Sequence, residues 1–451
     1  MLISYDETHS LIDKLILNEE LKNYYKKYGL CNTCKQPMTY TTFYCQPCHS
    51  KYFQSNFKNW TSGNHDVDEF IQKAQLNAKS RLQVIEWVEY DKFEDIEYLA
   101  KGGFGTTFKA IWKDGFMFWD YENYQWIKNG KTKVALKCLH DSHDITADFF
   151  KEVETSILVE DDVWVVRCFG ITKDPITNKF MMVMDLQKCS LRQHLNNNFI
   201  SMNWKEKLWG LYCITEGLKS IHNRGLIHHD LHCGNILSDF KDSAIITDLG
   251  LCQPANVKTS QDINKYGVLP YVAPEVLRGK EYTQASDIYG FGIIAYEICT
   301  GLPPYHDVAH DDFLALKICQ GLRPTFNYKV PQAILDVINQ CWDADPLKRP
   351  RVDELVKSIG NLYTAIYDEE KDSTIYKQVI EADEINKKSP LTIQSTLSSA
   401  GTLSYTTHPQ AVYTSKFLDF KNLPEPKNAE YSESVRVDFT KLDINSKDDS
   451  N

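Results

Sequence analysis

Asp230, Asn235 and Asp248 are the residues of this chain whose type and spacing point most directly to chemistry. Asp230 and Asn235 sit in the apolar frame Ile227-His-His-Asp-Leu-His-Cys-Gly-Asn-Ile-Leu237. Asp248-Leu-Gly250 follows a strand expected over Ala244 to Thr247. Three oxygen-bearing side chains on loops beside short apolar strands suit Mg²⁺, a hard cation that takes oxygen ligands. Each is a weak signal singly, because polar loop residues are common. Upstream, Val134-Ala-Leu-Lys137 ends an apolar strand on a lysine, which is sensible if the ammonium reaches inward to phosphate oxygens. Glu152, in the helix-prone stretch Thr146 to Val153, is a partner that could fix the direction of Lys137, although an exposed helix carboxylate is the plainer reading of that residue alone. Gly102, Gly103 and Gly105, inside Tyr98 to Ala110, let backbone amides approach phosphate closely. Any glycine-rich hairpin would read the same way, so the order and spacing of the whole set carry the argument.

A second constellation precedes these. Cys31-x-x-Cys34 is followed, after ten residues, by Cys45-x-x-Cys48. Two such pairs supply the four thiolates of a tetrahedral zinc site, and a closed Cys₄ shell is structural because it leaves no position open for a substrate. So small a segment has little core, and the metal would supply much of its folding energy. Metal-free thiols and a redox CxxC are the competing readings; four thiols in paired spacing favour zinc. His49, beside Cys48, reads as an ordinary surface histidine because four sulfurs already fill the shell.

The elements that must position these residues separate by composition. Leu11, Leu15, Ile16, Leu21, Tyr24 and Tyr28 recur at helical spacing and Gly29 follows as a stop, so residues 1–29 are assigned an N-terminal helix. The zinc-ribbon-like module is placed at 30–55 and a helical connector at 56–92, with a helix from Val67 to about Ser80 started by the Asp66/Glu69 capping-box pattern. Residues 93–361 alternate strand and helix signals. Residues 362–451 form a polar tail that changes character from about 366 onward; it is rich in Ser, Thr, Lys, Asp and Asn and is expected to be disordered.

With the motifs in this order, the block 93–361 resembles the eukaryotic protein kinase domain. The resemblance implies an α+β, bilobal fold with a β-rich small lobe and a helical large lobe, and ATP and Mg²⁺ as cofactors. It implies Asp230 as the base that orients the acceptor hydroxyl, Lys137 on the α/β-phosphates with Glu152 as its partner, and Asn235 and Asp248 on magnesium. It implies a nucleotide site formed by Leu99, Ala100, Lys101, Gly102, Gly103, Phe104, Gly105, Thr106, Thr107, Ala135, Lys137, the gatekeeper Met184, the hinge Asp185, Leu186 and Gln187, and Leu237. Glu275 of Ala273-Pro-Glu275 and Arg349 resemble a structural ion pair, and Asp287 the helix aspartate that braces the catalytic loop. GVLPYVAPE, the HHDLHCGN loop, the CxxC pairs and NWTSGN together resemble a lineage-expanded fungal group of tyrosine-kinase-like kinases.

Departures from the family pattern are informative. Ala100 stands where the first phosphate-loop glycine is usual. His229 replaces an arginine that in many kinases clamps an activation-loop phosphate, and a mostly neutral imidazole is a poor substitute; phosphorylation of that loop is therefore not expected to be a strict switch. His232 replaces a lysine that bridges base and phosphate, and Val268 the threonine that contacts that lysine. Leu249 replaces the usual phenylalanine. Trp112 to Val134 is a long hairpin carrying Trp119, Tyr121, Tyr124 and Trp126, for which local packing is the expectation. Thr259, Ser260 and Tyr266 are candidate phosphosites.

The net charge of −11 argues against nucleic acid as a partner. No basic region precedes an apolar run at the N-terminus, and no segment has the length of a membrane span. Thirteen cysteines, an odd number, argue for reduced thiols. A cytoplasmic protein, with the nucleus also open, is expected. Three functions compete: a protein kinase favouring Ser/Thr, with Tyr or dual specificity also open, and a protein substrate; a pseudokinase scaffold; and an interaction protein whose zinc module binds a protein partner.

Overall fold

A computed structural model describes residues 10–428 except 11, 15, 32, 37, 39–43, 104, 121–122, 124, 140–145, 160–162, 239–242, 256–264, 389–402 and 404. Helix α1, Glu19–Tyr28, is capped by Asn18, whose side chain accepts the Leu21 amide at 3.0 Å, and closes on Gly29 at φ 75°. The single helix expected over residues 1–29 is corrected within its described part: residues 16–18 are not helical, and Asn18 starts α1 afresh. Helix α2, Gln46–Asn56, starts at Cys45. Helix α3, His65–Asn77, is capped by Asn64 rather than Asp66. Asn64 Oδ1 accepts the amides of Asp66 and Val67, and the neighbouring Asp68 carboxylate is engaged by Thr61 and Ser62.

The small lobe is a six-stranded sheet in the order β1-β7-β8-β6-β3-β2. Its strands are β1 (Glu86–Trp87), β2 (Phe93–Lys101), β3 (Gly105–Trp112), β6 (Thr132–Leu139), β7 (Cys168–Lys173) and β8 (Phe180–Asp185). β4 (Met117–Asp120) and β5 (Gln125–Lys128) form a separate hairpin between β3 and β6. β6 alternates buried Val134, Leu136 and Cys138 with less buried neighbours, the period-two pattern of a strand covered on one side. Helix α4, Ala147–Val159, lies beside this sheet and buries Phe149 and Val153 with Val67 and Ile71 of α3 in one apolar cluster.

The large lobe is helical. Its helices are α5 (Leu191–Asn198), α6 (Trp204–Asn223), α7 (Pro274–Leu277), α8 (Gln284–Thr300), α9 (Asp312–Cys319), α10 (Gln332–Cys341), α11 (Val352–Tyr367) and α12 (Thr374–Lys387). Nearly all of α8 is buried, and its start is fixed by the Thr283/Ser286 capping box and its end by Gly301 at φ 75°. Short strands carry the loops between the helices: β9 (Cys189–Ser190), β10 (Leu226–Ile227), β11 (Ile236–Ser238), β12 (Ala244–Ile246), β13 (Gln253–Pro254), β14 (Lys265–Gly267) and β15 (Lys416–Leu418). β9, β11 and β12 make one small sheet, and Asn235, just before β11, and Asp248, just after β12, lie at the same end of two antiparallel neighbours.

Two stretches of the tail are corrected. Ser373 caps α12, which buries Val379 and Ala382 in the large-lobe core. Residues 405–428 lie across the large lobe, where Tyr413, Leu418, Phe420 and Leu423 join the same core. A polar composition concealed these few anchoring residues. The stretches 389–402 and 429–451 fall outside the described residues.

Candidate active site

The apolar strand β6 delivers Lys137 and the helix α4 delivers Glu152. Their side chains meet with Nζ 2.6 Å from Oε1, and the same Nζ lies 2.8 Å from Oδ1 of Asp248. Burial opposes the Lys137 charge, but Asp248 and Glu152 outweigh it and raise its pKa. Burial also pushes Glu152 up against the Lys137 charge. These two tendencies conflict; an ammonium within hydrogen-bond distance of two carboxylates defines the charged pair. Glu152 is therefore not the exposed helix carboxylate that its position alone suggested. α4 is held from behind by the connector: the Phe70 ring packs against Phe150 with centroids 4.6 Å apart, and within the connector Gln75 Nε2 donates to the Ile85 carbonyl at 2.8 Å.

Asp248 adopts left-handed backbone, φ 64° and ψ 66°, which aims its carboxylate back at Lys137. Gly250, two residues on, passes so close to α4 that a Cβ there would lie 2.6 Å from Glu152 Oε2. The catalytic loop is tied from below by Asp287. Its carboxylate accepts the amides of His228 and His229 at 2.8 and 3.1 Å and faces His222 Nε2 at 2.9 Å. Asn235 Nδ2 donates to the Asp230 carbonyl at 2.9 Å and approaches its Oδ2 at 3.4 Å, while the Thr247 amide donates to the Asn235 carbonyl at 3.0 Å. Lys137, Glu152, the Asp230–Asn235 loop and Asp248 are thus brought together from four separate stretches of chain.

His232 lies where the sequence lacks a lysine. Its Nδ1 accepts the Gly234 amide at 3.1 Å, which leaves Nε2 as the protonated nitrogen facing Asp230 Oδ2 at 3.5 Å. Burial lowers the pKa of this ring, but the Asp230 charge raises it further, and the net direction is upward. Burial pulls Asp230 up in turn, and the His232 charge together with hydrogen bonds from His232 and Ser415 holds it below the ordinary carboxylate value. Val268 is buried beside this loop with no hydroxyl to offer. His229, at φ 71°, stacks on Tyr282 at 4.5 Å, and burial depresses its pKa to about 4. A neutral ring is a poor partner for a phosphate.

Of the nucleotide set, Leu99, Ala100 and Lys101 end β2, Gly105, Thr106 and Thr107 begin β3, and the Gly102 amide closes the turn on the Gly105 carbonyl at 2.8 Å. Phe104 lies outside the described residues. Ala135 sits opposite Met184 in the β6–β8 ladder, and both pack with Leu237 in one apolar cluster. Asp185 ends β8; Leu186 and Gln187 follow it, Gln187 Nε2 donating to the Asp185 carboxylate at 2.8 Å. Arg349 meets Glu275 with two parallel bonds of 2.7 and 2.8 Å, as the resemblance implies. Thr259 and Ser260 lie outside the described residues.

The four module sulfurs lie within 4.8 Å of one another, and the cysteines are unbridged. A tetrahedral ion with Zn–S bonds of about 2.3 Å spaces its sulfurs about 3.8 Å apart, so this donor set fits zinc. His49 is corrected from a surface residue to a buried one, 3% exposed. Its Nδ1 accepts the Trp126 indole N–H at 3.0 Å, and its ring stacks on Tyr44 at 4.2 Å. Trp119 and Trp126 therefore pack on the zinc module with Phe53 and Tyr44, rather than only within their own hairpin. The signal available beforehand was the run of unexplained tryptophans.

Residues 93–359 match the family model for protein tyrosine and serine/threonine kinases. The chain is 31% identical over 282 residues to "Probable serine/threonine-protein kinase roco5" of Dictyostelium discoideum, covering 58% of this chain and 9% of that protein. It is 28% identical over 288 residues to a protein of Acanthamoeba polyphaga mimivirus provisionally named serine/threonine-protein kinase/receptor R831, covering 61% and 16%. It is also 28% identical over 296 residues to "Probable serine/threonine-protein kinase gdt4" of Dictyostelium discoideum, covering 64% and 17%. The chain spans less than a fifth of the length of these curated relatives. A two-lobed fold with this lysine–glutamate–aspartate arrangement defines a protein kinase domain, and the chain belongs to the protein tyrosine and serine/threonine kinase family. Among the described residues no helix is long and apolar enough to cross a membrane.

Proposed function

We propose that this chain is a catalytically active protein kinase that transfers the γ-phosphoryl group of Mg-ATP to serine or threonine hydroxyls of a protein. The single observation that carries this reading is Lys137 Nζ held between Glu152 and Asp248. Lys137 binds the α- and β-phosphates, and Asp230 orients the acceptor hydroxyl and takes its proton. Asn235 and Asp248 hold magnesium, which neutralises charge on the triphosphate. His232 places an N–H beside the base and supplies part of what the missing lysine would. Preference for serine and threonine is supported by the printed names of the relatives and by the tyrosine-kinase-like resemblance. Cys31, Cys34, Cys45 and Cys48 would hold a structural zinc ion, and the module would serve to bind a protein partner.

The test is phosphate incorporation into casein from labelled Mg-ATP by the full chain and by Asp230→Ala. Wild-type incorporation as phosphoserine and phosphothreonine, abolished in the variant, is the expected result. Equal incorporation by the two proteins contradicts catalysis, and phosphotyrosine alone contradicts the hydroxyl preference.

A further inference from the structure

The tail does more than cover the large lobe. Its path begins at α5, where Tyr405 Oη donates to Asn196 Oδ1 at 3.0 Å. It continues past the loop after α8. There the His408 amide donates to the His306 carbonyl at 2.7 Å, the Val412 amide meets His310 Nδ1 at 3.1 Å, and Tyr413 Oη donates to the Pro304 carbonyl at 2.9 Å. It leaves along α7, where Arg278 holds the Glu425 carboxylate by two bonds of 2.6 Å. Between these anchors the chain passes directly over the catalytic loop.

At that point Ser415 donates its hydroxyl hydrogen to Oδ2 of Asp230, the oxygen that would take an acceptor's proton. The glycine turn closes on it from above: a Cβ built on Gly103 would lie 3.2 Å from the Ser415 carbonyl oxygen. The three residues that follow form β15 and pair antiparallel with β14, matching Gly267 with Lys416, Tyr266 with Phe417 and Lys265 with Leu418. A strand slipped by one residue turns every side chain to the other face, so this ladder, with Leu418 buried, fixes which residue faces the base. Thr414, the residue before Ser415, is exposed. An extended peptide added to a strand edge, with one hydroxyl on the general base, is the arrangement of a bound substrate.

We propose that Ser415 is a phosphoacceptor of its own kinase domain, modified in cis by the site it occupies. The inference rests on the catalytic reading given above. Ser415 Oγ attacks the γ-phosphorus of Mg-ATP; the new O–P bond forms as the bond from that phosphorus to the β,γ-bridging oxygen breaks. ADP departs with the electron pair, and the hydroxyl proton passes to Asp230 and on to solvent. The product places a phosphate of charge about −2 beside Asp230. Like charges then drive residues 405–428 out of the groove and open it to other proteins. Until that event the segment excludes them.

The test uses the full chain, dephosphorylated and then given Mg-ATP over a wide dilution series, with site occupancy read by mass spectrometry and casein as a separate acceptor. Ser415 is expected to be labelled at a rate per molecule that dilution does not change. Ser415→Thr is expected to remain labelled at that position, and Ser415→Ala to lose the site without transfer to Thr414. Casein labelling with Ser415 untouched overturns this inference alone. Ser415 labelling that slows in proportion to dilution overturns modification in cis. No labelling of Ser415 or of casein removes the catalytic reading, and this inference with it.

Discussion

Gly250 and Glu152 approach so closely that a methyl group on Gly250 would lie 2.6 Å from the carboxylate that holds Lys137. The glycine of Asp248-Leu-Gly250 is thus a spacing requirement of the ion pair. Gly250→Ala must push Glu152, and with it α4, away from Lys137. A loss of at least tenfold in kcat/KM, worth about 1.4 kcal/mol of transition-state stabilisation, is expected, with little change in thermal stability. Steady-state kinetics alongside a melting curve check this; unchanged kinetics would show that α4 accommodates the methyl group.

His229 sets a pH dependence of stability. Its pKa falls from an ordinary 6.5 to about 4 on folding, chiefly by burial; Asp287 and Asp230 draw it up, and His228 and Lys151 push it down. Between those values the unfolded chain binds a proton that the folded chain refuses. Stability contributed by the neutral ring is therefore complete above pH 6.5 and is lost as pH falls toward 4. One pKa unit being about 1.4 kcal/mol, the loss at pH 4 is bounded by about 3 kcal/mol. His229→Asn keeps a residue that tolerates positive φ and removes the titration. Denaturant unfolding at a series of pH values should give a shallower acid limb in the variant than in the wild type; parallel curves would contradict the argument.

The zinc module is tied to the catalytic machinery through packing. α2 donates Ser50 Oγ to the Leu76 carbonyl of α3 at 2.9 Å, α3 backs α4, and α4 carries Glu152. Removing the metal with a strong chelator, or making Cys45→Ser, should release one zinc per chain and lower the melting temperature. Tryptophan emission should shift to the red as Trp119 and Trp126 lose the cover of Tyr44, Phe53 and His49. Metal analysis finding no zinc in the untreated protein would dismiss the site.

The Glu275–Arg349 pair is buried, with side-chain exposures of 6% and 0%. Glu275→Ala leaves the guanidinium without its counter-charge, and removal of one partner from a buried pair costs about 3–5 kcal/mol. Arg349 also donates to the Asp343 and Ala285 carbonyls, which hold it in place and prevent escape to water. Urea unfolding measures the loss; a change below about 1 kcal/mol would mean that the charge is solvated after all.

Much of the site was legible in the sequence, because phosphate and magnesium chemistry restricts residue types severely. Lys137, Asp230, Asn235 and Asp248 had few substitutes, and their order left little freedom. What the sequence concealed depends on partners far along the chain. His49 looked superficial because Trp126, which buries it, is 77 residues away. Asp66 and Glu69 imitated a cap, but Asn64 lies nearer the free amides. Ser415 sits in a stretch whose Ser, Thr and Lys content signals disorder, and its position is set by Asp230, 185 residues away, and by the edge of β14.

The most direct measurement of the central claim is a crystal structure of the full chain with Mg²⁺ and a non-hydrolysable ATP analogue. The account predicts metal on Asn235 and Asp248, the triphosphate on Lys137, and the terminal phosphorus about 3.5 Å from the hydroxyl bonded to Asp230. A nucleotide bound away from these residues, or none bound at saturating concentration, would contradict it.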